Sequence, residues 1–209
     1  MKTILIALAL ITLLVAPTTQ ATEPNPANTL VWCGLDYSLV KMIGTADFRQ
    51  PEMIFPGMLQ EWNGLFMKEM LPKLEGVAKG MATDLKAVND RNEKASSKQI
   101  IREDGTKAEM VDVSHIMPDD IAKAVGSYDL KNTQGVGLVF IIDRLVKAQA
   151  TECIYVVFFD VSSRKVLSSA RVVEKGGGYG FRNFWFSPIK EAVGKLPKMY
   201  KAAVKTRAK

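Results

Sequence analysis

The residue types that could carry out catalysis are few in this chain and lie far apart along it. His115 is the single histidine, and Cys33 and Cys153 are the only cysteines. A histidine acts as a general base when a nucleophile and an orienting group lie beside it, so one cysteine would have to approach His115 in the fold. Neither cysteine is predicted at a helix amino terminus or beside an obvious cation, where a thiolate is stabilised. The pattern favours a structural or surface role for His115.

Three aspartates offer a second kind of chemistry. Asp36, Asp143 and Asp160 each lie in or at the end of a predicted strand, and two of them would form an acid/base pair if the fold brought them together. The alternative is that each one binds backbone groups of a nearby turn. One histidine and two distant cysteines give no metal-ligand spacing, so we predict no metal site and no cofactor.

The two cysteines also raise the question of a disulfide. Each lies in a strand-like segment, LVWCGL around Cys33 and TECIYVVFFD around Cys153. An even count favours a bridge in an exported protein. Two buried thiols acting as small apolar residues remain the alternative.

The most unusual segment is KGGGYGFRNFWF, residues 175–186. It does not match a phosphate-binding loop, because no Gly-Lys-Ser/Thr follows the glycines. Its candidate binding residues are Tyr179, Arg182, Asn183 and Trp185, which could stack on a sugar or peptide or dock on a protein. The favoured interpretation is a loop whose aromatic rings cover the core ahead of the last helix.

The elements that would position these residues alternate between strand and helix. Residues 30–43 read as one long strand or two short ones, and 135–146, 152–160 and 165–173 read as further strands. An apolar stripe from Leu59 to Met81 predicts a helix with a break at Pro72. The remaining predictions are a loop before Met58, a solvated loop at 89–98, a hairpin at 97–116 around Asp104-Gly105, a helix at 118–125 and a last helix that starts at Ser187-Pro188. This order predicts an α/β (or α+β) fold, a single mixed sheet with helices packed against it.

The first 21 residues, MKTILIALALITLLVAPTTQA, have the features of a secretory signal peptide. Lys2 precedes about a dozen apolar residues, and Thr19 and Ala21 are small residues at a cleavage site. This apolar run is too short to span a bilayer as a helix, which takes roughly 20 residues. We therefore expect 1–21 to be a signal peptide, 22–29 a flexible leader, 30–199 a single domain and 200–209 a basic tail. The expected location is the periplasm or the exterior, with no transmembrane segment after cleavage.

The charge of the chain limits its partners. The formal net charge is +6, without the dense clustering of Lys and Arg that is typical of nucleic-acid binders. We therefore predict no nucleic-acid partner. The basic residues from Lys198 onward favour a frayed, solvated terminus, and contact with an anionic surface is the alternative.

One hairpin carries a family resemblance. In ECIYVVFFDVSSRKVLSSARVV, residues 152–173, an apolar strand ends in Asp160, a turn contains Ser162 and Ser163, and a strand begins Lys165-Val166-Leu167. This pattern resembles bacterial envelope domains of the TolB amino-terminal-like class, which includes the curli secretion lipoprotein and the outer-membrane activators of penicillin-binding proteins. The resemblance implies a non-catalytic α/β module that binds partners in the envelope, and it implies no particular site residue.

The sequence thus favours a secreted or periplasmic, non-enzymatic domain that binds an envelope protein or surface component. Two alternatives stay open. One is a secreted hydrolase with an unrecognised site, and the other is a ligand-binding module that uses residues 176–186. The sequence does not indicate an oligomeric state.

Overall fold

The computed structural model describes residues 29–44, 48–78, 80–95, 114–130 and 134–208. These residues form one mixed sheet of six strands with helices on both faces, which confirms the predicted α/β class. The predicted signal peptide, nearly all of the leader and the hairpin around Asp104-Gly105 lie outside the described residues.

The sheet combines a parallel half with an antiparallel half. Strands β1 (Thr29–Asp36) and β2 (Lys41–Ile43) both run parallel to β4 (Val136–Val146), so the segment 30–43 forms two short strands. Strand β3 (Gly80–Thr83) is parallel to β1 on its other side. Strands β5 (Thr151–Asp160) and β6 (Val166–Lys175) continue from β4 as an antiparallel meander, close to the predicted bounds.

Among the described residues, six α-helices of four residues or more cover the two faces of this sheet. They are α1 (Leu59–Glu69), α2 (Leu71–Leu74), α3 (Lys86–Lys94), α4 (Pro118–Gly126), α5 (Gly180–Gly194) and α6 (Leu196–Arg207). Helices α1, α2, α5 and α6 bury their apolar sides on one face, and α3 and α4 bury theirs on the other. The break between α1 and α2 falls just before Pro72, as predicted, and α4 matches the helix predicted at 118–125.

Several predicted boundaries around α1 were wrong. The stretches Pro51–Met53 and Ile54–Met58 form short helical turns where a loop was predicted. The helical stripe also ends early, because Met81 belongs to β3 and pairs with Leu30 of β1. The predicted loop at 89–98 begins inside α3. This helix needs no large apolar residue, since Ala87, Val88 and Asn92 are enough to form its buried side.

The basic carboxyl-terminal segment is helical as far as Arg207. The prediction of a frayed terminus from Lys198 onward is therefore wrong for residues 198–207. Leu196, Tyr200 and Ala203 are buried against the sheet, and this apolar contact provides the stabilisation that the local sequence alone does not.

Candidate functional site

The carboxyl end of β1 is held by two buried asparagines from different helices. Asn63 of α1 accepts a hydrogen bond from the Leu35 amide at 2.7 Å, and Asn92 of α3 accepts one from the Tyr37 amide at 3.0 Å. Both side-chain amides also donate to the Leu35 carbonyl. These bonds satisfy backbone groups where the strand stops pairing, and they fix the position of Asp36 between Leu35 and Tyr37.

Asp36 is fully buried and is used for structure. One carboxylate oxygen accepts from Nε of Arg91 at 2.9 Å and from the Tyr128 hydroxyl at 2.8 Å, and the other accepts from the Ser38 amide at 2.9 Å. Burial raises the pKa of Tyr128, and the neighbouring Asp36 carboxylate raises it further, so this hydroxyl remains a donor. No part of this arrangement leaves Asp36 free to accept a proton from a substrate.

Asp143 lies at an irregularity in β4, where the pairing with β5 skips one residue. Its carboxylate lies 2.9 Å from Nδ1 of His115, 3.0 Å from Nε of Arg171 and 3.6 Å from Nε of Arg144. Burial alone would raise the pKa of Asp143, but His115 and the two guanidinium groups outweigh burial and lower it. Asp143 therefore remains a carboxylate that neutralises its cationic neighbours.

The contacts of His115 argue against a catalytic base. Its Nε2, the atom that would take a proton from a nucleophile, lies 2.8 Å from the carbonyl oxygen of Leu39. Both ring nitrogens therefore face oxygen atoms, Nδ1 that of Asp143 and Nε2 that of Leu39. This agrees with the predicted structural role. No local pattern in the sequence indicates that Asp143 and Arg171 are its neighbours, because these residues come from different strands.

The third aspartate, Asp160, ties the end of β5 to α6. Its carboxylate accepts from both hydroxyls of Ser162 and Ser163, from the Ser163 amide and, at 2.6 Å, from Nε of Arg207. Burial raises its pKa, but these bonds lower it by more. Asp160 therefore binds groups of the adjacent turn, which is one of the two roles considered for the strand-end aspartates. These contacts do not support the other role, an acid/base pair.

A cavity of about 310 Å³ opens beside Asp36, past the carboxyl end of β1. Charged side chains of both signs line it, namely Asp90, Arg91, Lys94 and Asp129. Ligands of open α/β sheets commonly bind at such an edge. Both signs of charge are present and Arg91 is already paired with Asp36, so the lining indicates no particular class of ligand.

The two cysteines do not form a disulfide. Both thiols are free and buried. Cys33 lies next to β4 at the level of Leu138, whereas Cys153 pairs with Arg144 on the far side of β4. At roughly 3.3 Å per residue, these levels are about 20 Å apart, well beyond the ~7 Å between Cα atoms that a disulfide spans. Burial also raises the pKa of Cys153 to about 12, so neither a bridge nor a reactive thiolate is supported.

The glycine and aromatic segment does not form the predicted loop. Its glycines make a turn, and α5 then begins at Gly180 and runs through Ser187 and Pro188. The prediction that the last helix starts at Ser187-Pro188 was wrong for a specific reason. Pro188 has no amide hydrogen for the Phe184 carbonyl, but that carbonyl accepts instead from the Gly177 amide and the Ser187 hydroxyl, both at 3.1 Å. The turn therefore compensates for the proline inside the helix.

The four candidate binding residues separate into one core residue and three surface residues. Trp185 is 1% exposed and stacks on Phe48, so it belongs to the core and leaves the candidate set. Arg182 and Asn183 are exposed, with Nη1 of Arg182 3.7 Å from Glu61. Tyr179 is 96% exposed, far more than any other large apolar or aromatic side chain of the described residues.

Tyr179 stands between two shallow cavities at the start of α5. The first, of about 270 Å³, has aromatic walls from Phe48, Phe184 and Trp185. The second, of about 320 Å³, has Met58, Glu61 and Arg182 in its walls. Both also contain Tyr179, Gly180 and Phe181, and Phe181 is fixed by stacking on Trp62 with nearly parallel rings. We call Tyr179, Arg182, Asn183 and these two cavities the Tyr179 surface.

A cation at the edge of the first cavity was not identified from the sequence. Lys147 follows β4, and its Nζ lies 3.6 Å from the centre of the Phe184 ring. This is a close cation–π contact. It gives an otherwise aromatic cavity one positive charge. Lys147 is far from the aromatic segment along the chain, so no local pattern pairs the two.

Other classes of site are absent from the part of the chain that the structure describes. Its histidines, cysteines and carboxylates nowhere form a group of three or more that could hold a metal ion. None of its helices combines the length and the apolar character needed to cross a membrane.

No protein-family model matches this sequence, and no curated protein matches it either. Among solved structures, lipoprotein GNA1162 of Neisseria meningitidis is 13% identical, with 80% of this chain and 94% of that chain covered and a TM-score of 0.34. A Xanthomonas campestris protein of the DUF330 family is 10% identical, with 88% and 92% covered and a TM-score of 0.31. A homologue of neuraminyllactose-binding hemagglutinin from Helicobacter pylori is 12% identical, with 91% and 97% covered and a TM-score of 0.32. Likenesses this low establish no family and carry no argument about function.

Proposed function

We propose that this protein is an exported, non-enzymatic domain that binds another component of the bacterial cell envelope through the Tyr179 surface. The observation that carries the proposal is the tyrosine itself, a large ring almost fully in solvent between two cavities. Tyrosine and arginine are enriched among the residues that dominate protein–protein binding energy, and Arg182 lies in the first turn of α5, directly after Tyr179. The signal-like residues 1–21 support export.

The shape of the surface suggests how a partner would bind. Phe181 forms a rigid wall shared by both cavities, because it packs against Phe48 and Trp62. A partner that inserts one apolar side chain on each side of this wall would also bury the Tyr179 ring, whose hydroxyl can donate or accept a hydrogen bond. The backbone around Tyr179 is held by the contact between Gly177 and Phe184, so binding would require little ordering.

Photo-crosslinking in the producing cells tests this proposal. A photoreactive benzoylphenylalanine replaces Tyr179 in one variant and Met117 in a control, because Met117 is also exposed, at 61%, but precedes α4 on the other face of the sheet. We expect a discrete crosslinked product from position 179 and none from position 117. The component crosslinked at position 179 is then used in a competition experiment. Tyr179→Ala should lower its binding at least tenfold, while the melting temperature of the protein stays unchanged. Equal crosslinking at both positions, or full binding by Tyr179→Ala, would overturn the proposal.

A further inference from the structure

Helix α6 presents a row of lysines directly opposite its buried side. Leu196, Tyr200 and Ala203 face the sheet and are buried. Lys198, Lys201 and Lys205 are exposed. With about 100° of rotation per residue, these three lysines fall within an arc of about 60°, centred on the side that points away from the core. They follow the outer ridge of the helix for about 10 Å, at roughly 1.5 Å per residue.

The charge of this row is not balanced within the helix. Residues 196–207, LPKMYKAAVKTR, contain no acidic residue. The two cations that flank the row are already paired, Lys195 with Glu174 and Arg207 with Asp160. For Lys198, Lys201 and Lys205 the described residues provide no ion pair. Within the part of the chain that the structure describes, the outer ridge of α6 therefore carries three positive charges without an ion-pair partner.

The side chains between the lysines leave room for a flat surface. The other exposed residues of the helix on this side are Pro197, Ala202 and Thr206, all of them short. The lysines are therefore the longest side chains on the ridge, and all three can reach one plane together. A partner whose anionic surface is narrow or recessed would contact one or two of the lysines, whereas a partner with a planar anionic surface contacts all three.

We propose that the outer ridge of α6 binds the anionic headgroups of a phospholipid membrane, in addition to and independently of the Tyr179 surface. The ridge has no exposed large apolar side chain that would insert into the acyl region, so the attachment is electrostatic and peripheral. An ammonium near an anionic bilayer contributes enough attraction to change the binding constant by about fivefold per lysine. Three lysines then account for about a hundredfold.

Vesicle co-sedimentation with protein expressed from the full sequence tests this proposal. The vesicles are made of phosphatidylcholine alone or of equal parts phosphatidylcholine and phosphatidylglycerol. We expect binding to the mixed vesicles only, and we expect added salt to release the protein because salt screens exposed charges. The variant Lys198→Gln, Lys201→Gln and Lys205→Gln should lose about a hundredfold in affinity.

A matched control separates the ridge from net charge. The variant Lys68→Gln, Lys73→Gln and Lys123→Gln removes the same number of exposed charges from other helices and should keep most of the binding. Equal losses in the two variants would overturn the proposal, since the net charge of the protein would then explain the attraction.

Soluble polyglutamate, an acidic polymer without a membrane, is the third ligand tested. If it binds through the same lysines while mixed vesicles do not, the ridge recognises an acidic polymer and the membrane proposal fails. Tyr179→Ala should bind vesicles normally.

Discussion

At the residue scale, Glu152 is the side chain in which burial and ionisation conflict most. The side chain is fully buried in β5, and among the described residues neither of its carboxyl oxygens has a hydrogen-bond partner. Burial raises the pKa of Glu152 well above its usual value, because no cation compensates for the lost solvation. This contrasts with Asp36, Asp143 and Asp160, each of which binds a guanidinium group.

Glu152→Gln should therefore stabilise the protein more at pH 8 than at pH 5.5. The folded state holds the Glu152 proton more tightly than the unfolded chain, whose pKa is about 4.5. Below that pKa, ionisation of Glu152 does not reduce the free energy of unfolding of the wild type. As the pH rises from there toward the folded-state pKa, the free energy of unfolding falls by about 1.4 kcal/mol per pH unit. A neutral amide removes this loss. Urea denaturation at both pH values measures the difference.

The exposed acid Glu75 is the control for this prediction, as Glu75→Gln. A gain from Glu152→Gln that is the same at both pH values would contradict the account, because a change in packing alone does not depend on pH. The single sequence did not identify Glu152 as unusual, since its burial is set by the sheet and helix packed around it and its neighbours in the chain are ordinary strand residues.

At the scale of elements, the sequence predicted strands better than helix ends. Strands β4, β5 and β6 were found because long β-branched and aromatic runs have few other interpretations. The predicted helix ends were wrong where contacts with distant parts of the fold stabilise a helix beyond what its local sequence indicates. Ser187-Pro188 is a typical helix start, and only the contact between the Gly177 amide and the Phe184 carbonyl allows α5 to continue through it. Nothing local to the proline indicates that contact.

The turn before α5 predicts a difference between two neighbouring glycines. A Cβ at Gly176 would lie 2.5 Å from the Phe184 ring, which is held between Trp185 and the Lys147 ammonium and cannot easily move. Gly176→Ala should therefore destabilise the protein by about 1–3 kcal/mol. At Gly177 the nearest atom to a Cβ is the Ser187 hydroxyl at 3.7 Å, so Gly177→Ala should stay within about 0.5 kcal/mol of the wild type.

Thermal and urea denaturation of the two variants check this difference. Equal stabilities would mean that the Phe184 ring has room to swing away, and that the turn is not packed on α5 as described. The same measurement bears on the Tyr179 surface, because Gly176 and Phe184 support the backbone from which Tyr179 projects. A destabilised Gly176→Ala variant should also bind its partner more weakly than Gly177→Ala.

At the scale of the whole molecule, the sequence predicted the class of fold but not which side chains meet. Alternation of strands and helices was sufficient for a mixed sheet with helices against it. The pairing of His115 with Asp143 depends on how α4, which follows His115, packs on the face of the sheet that contains β4. The separation of Cys33 from Cys153 depends on strand register. Register and crossover are set by packing across the molecule, and a local pattern does not contain them.

That separation predicts the chemical state of both thiols in the purified protein. Because β4 lies between the two cysteines and their levels differ by about 20 Å, no local opening brings them together, even in an oxidising compartment. Both should be reduced in protein purified without reductant. Iodoacetamide followed by mass spectrometry should show two alkylated cysteines in urea and none under native conditions, where burial raises the pKa of both thiols. Alkylation in urea only after reduction would reveal a disulfide and contradict this strand register.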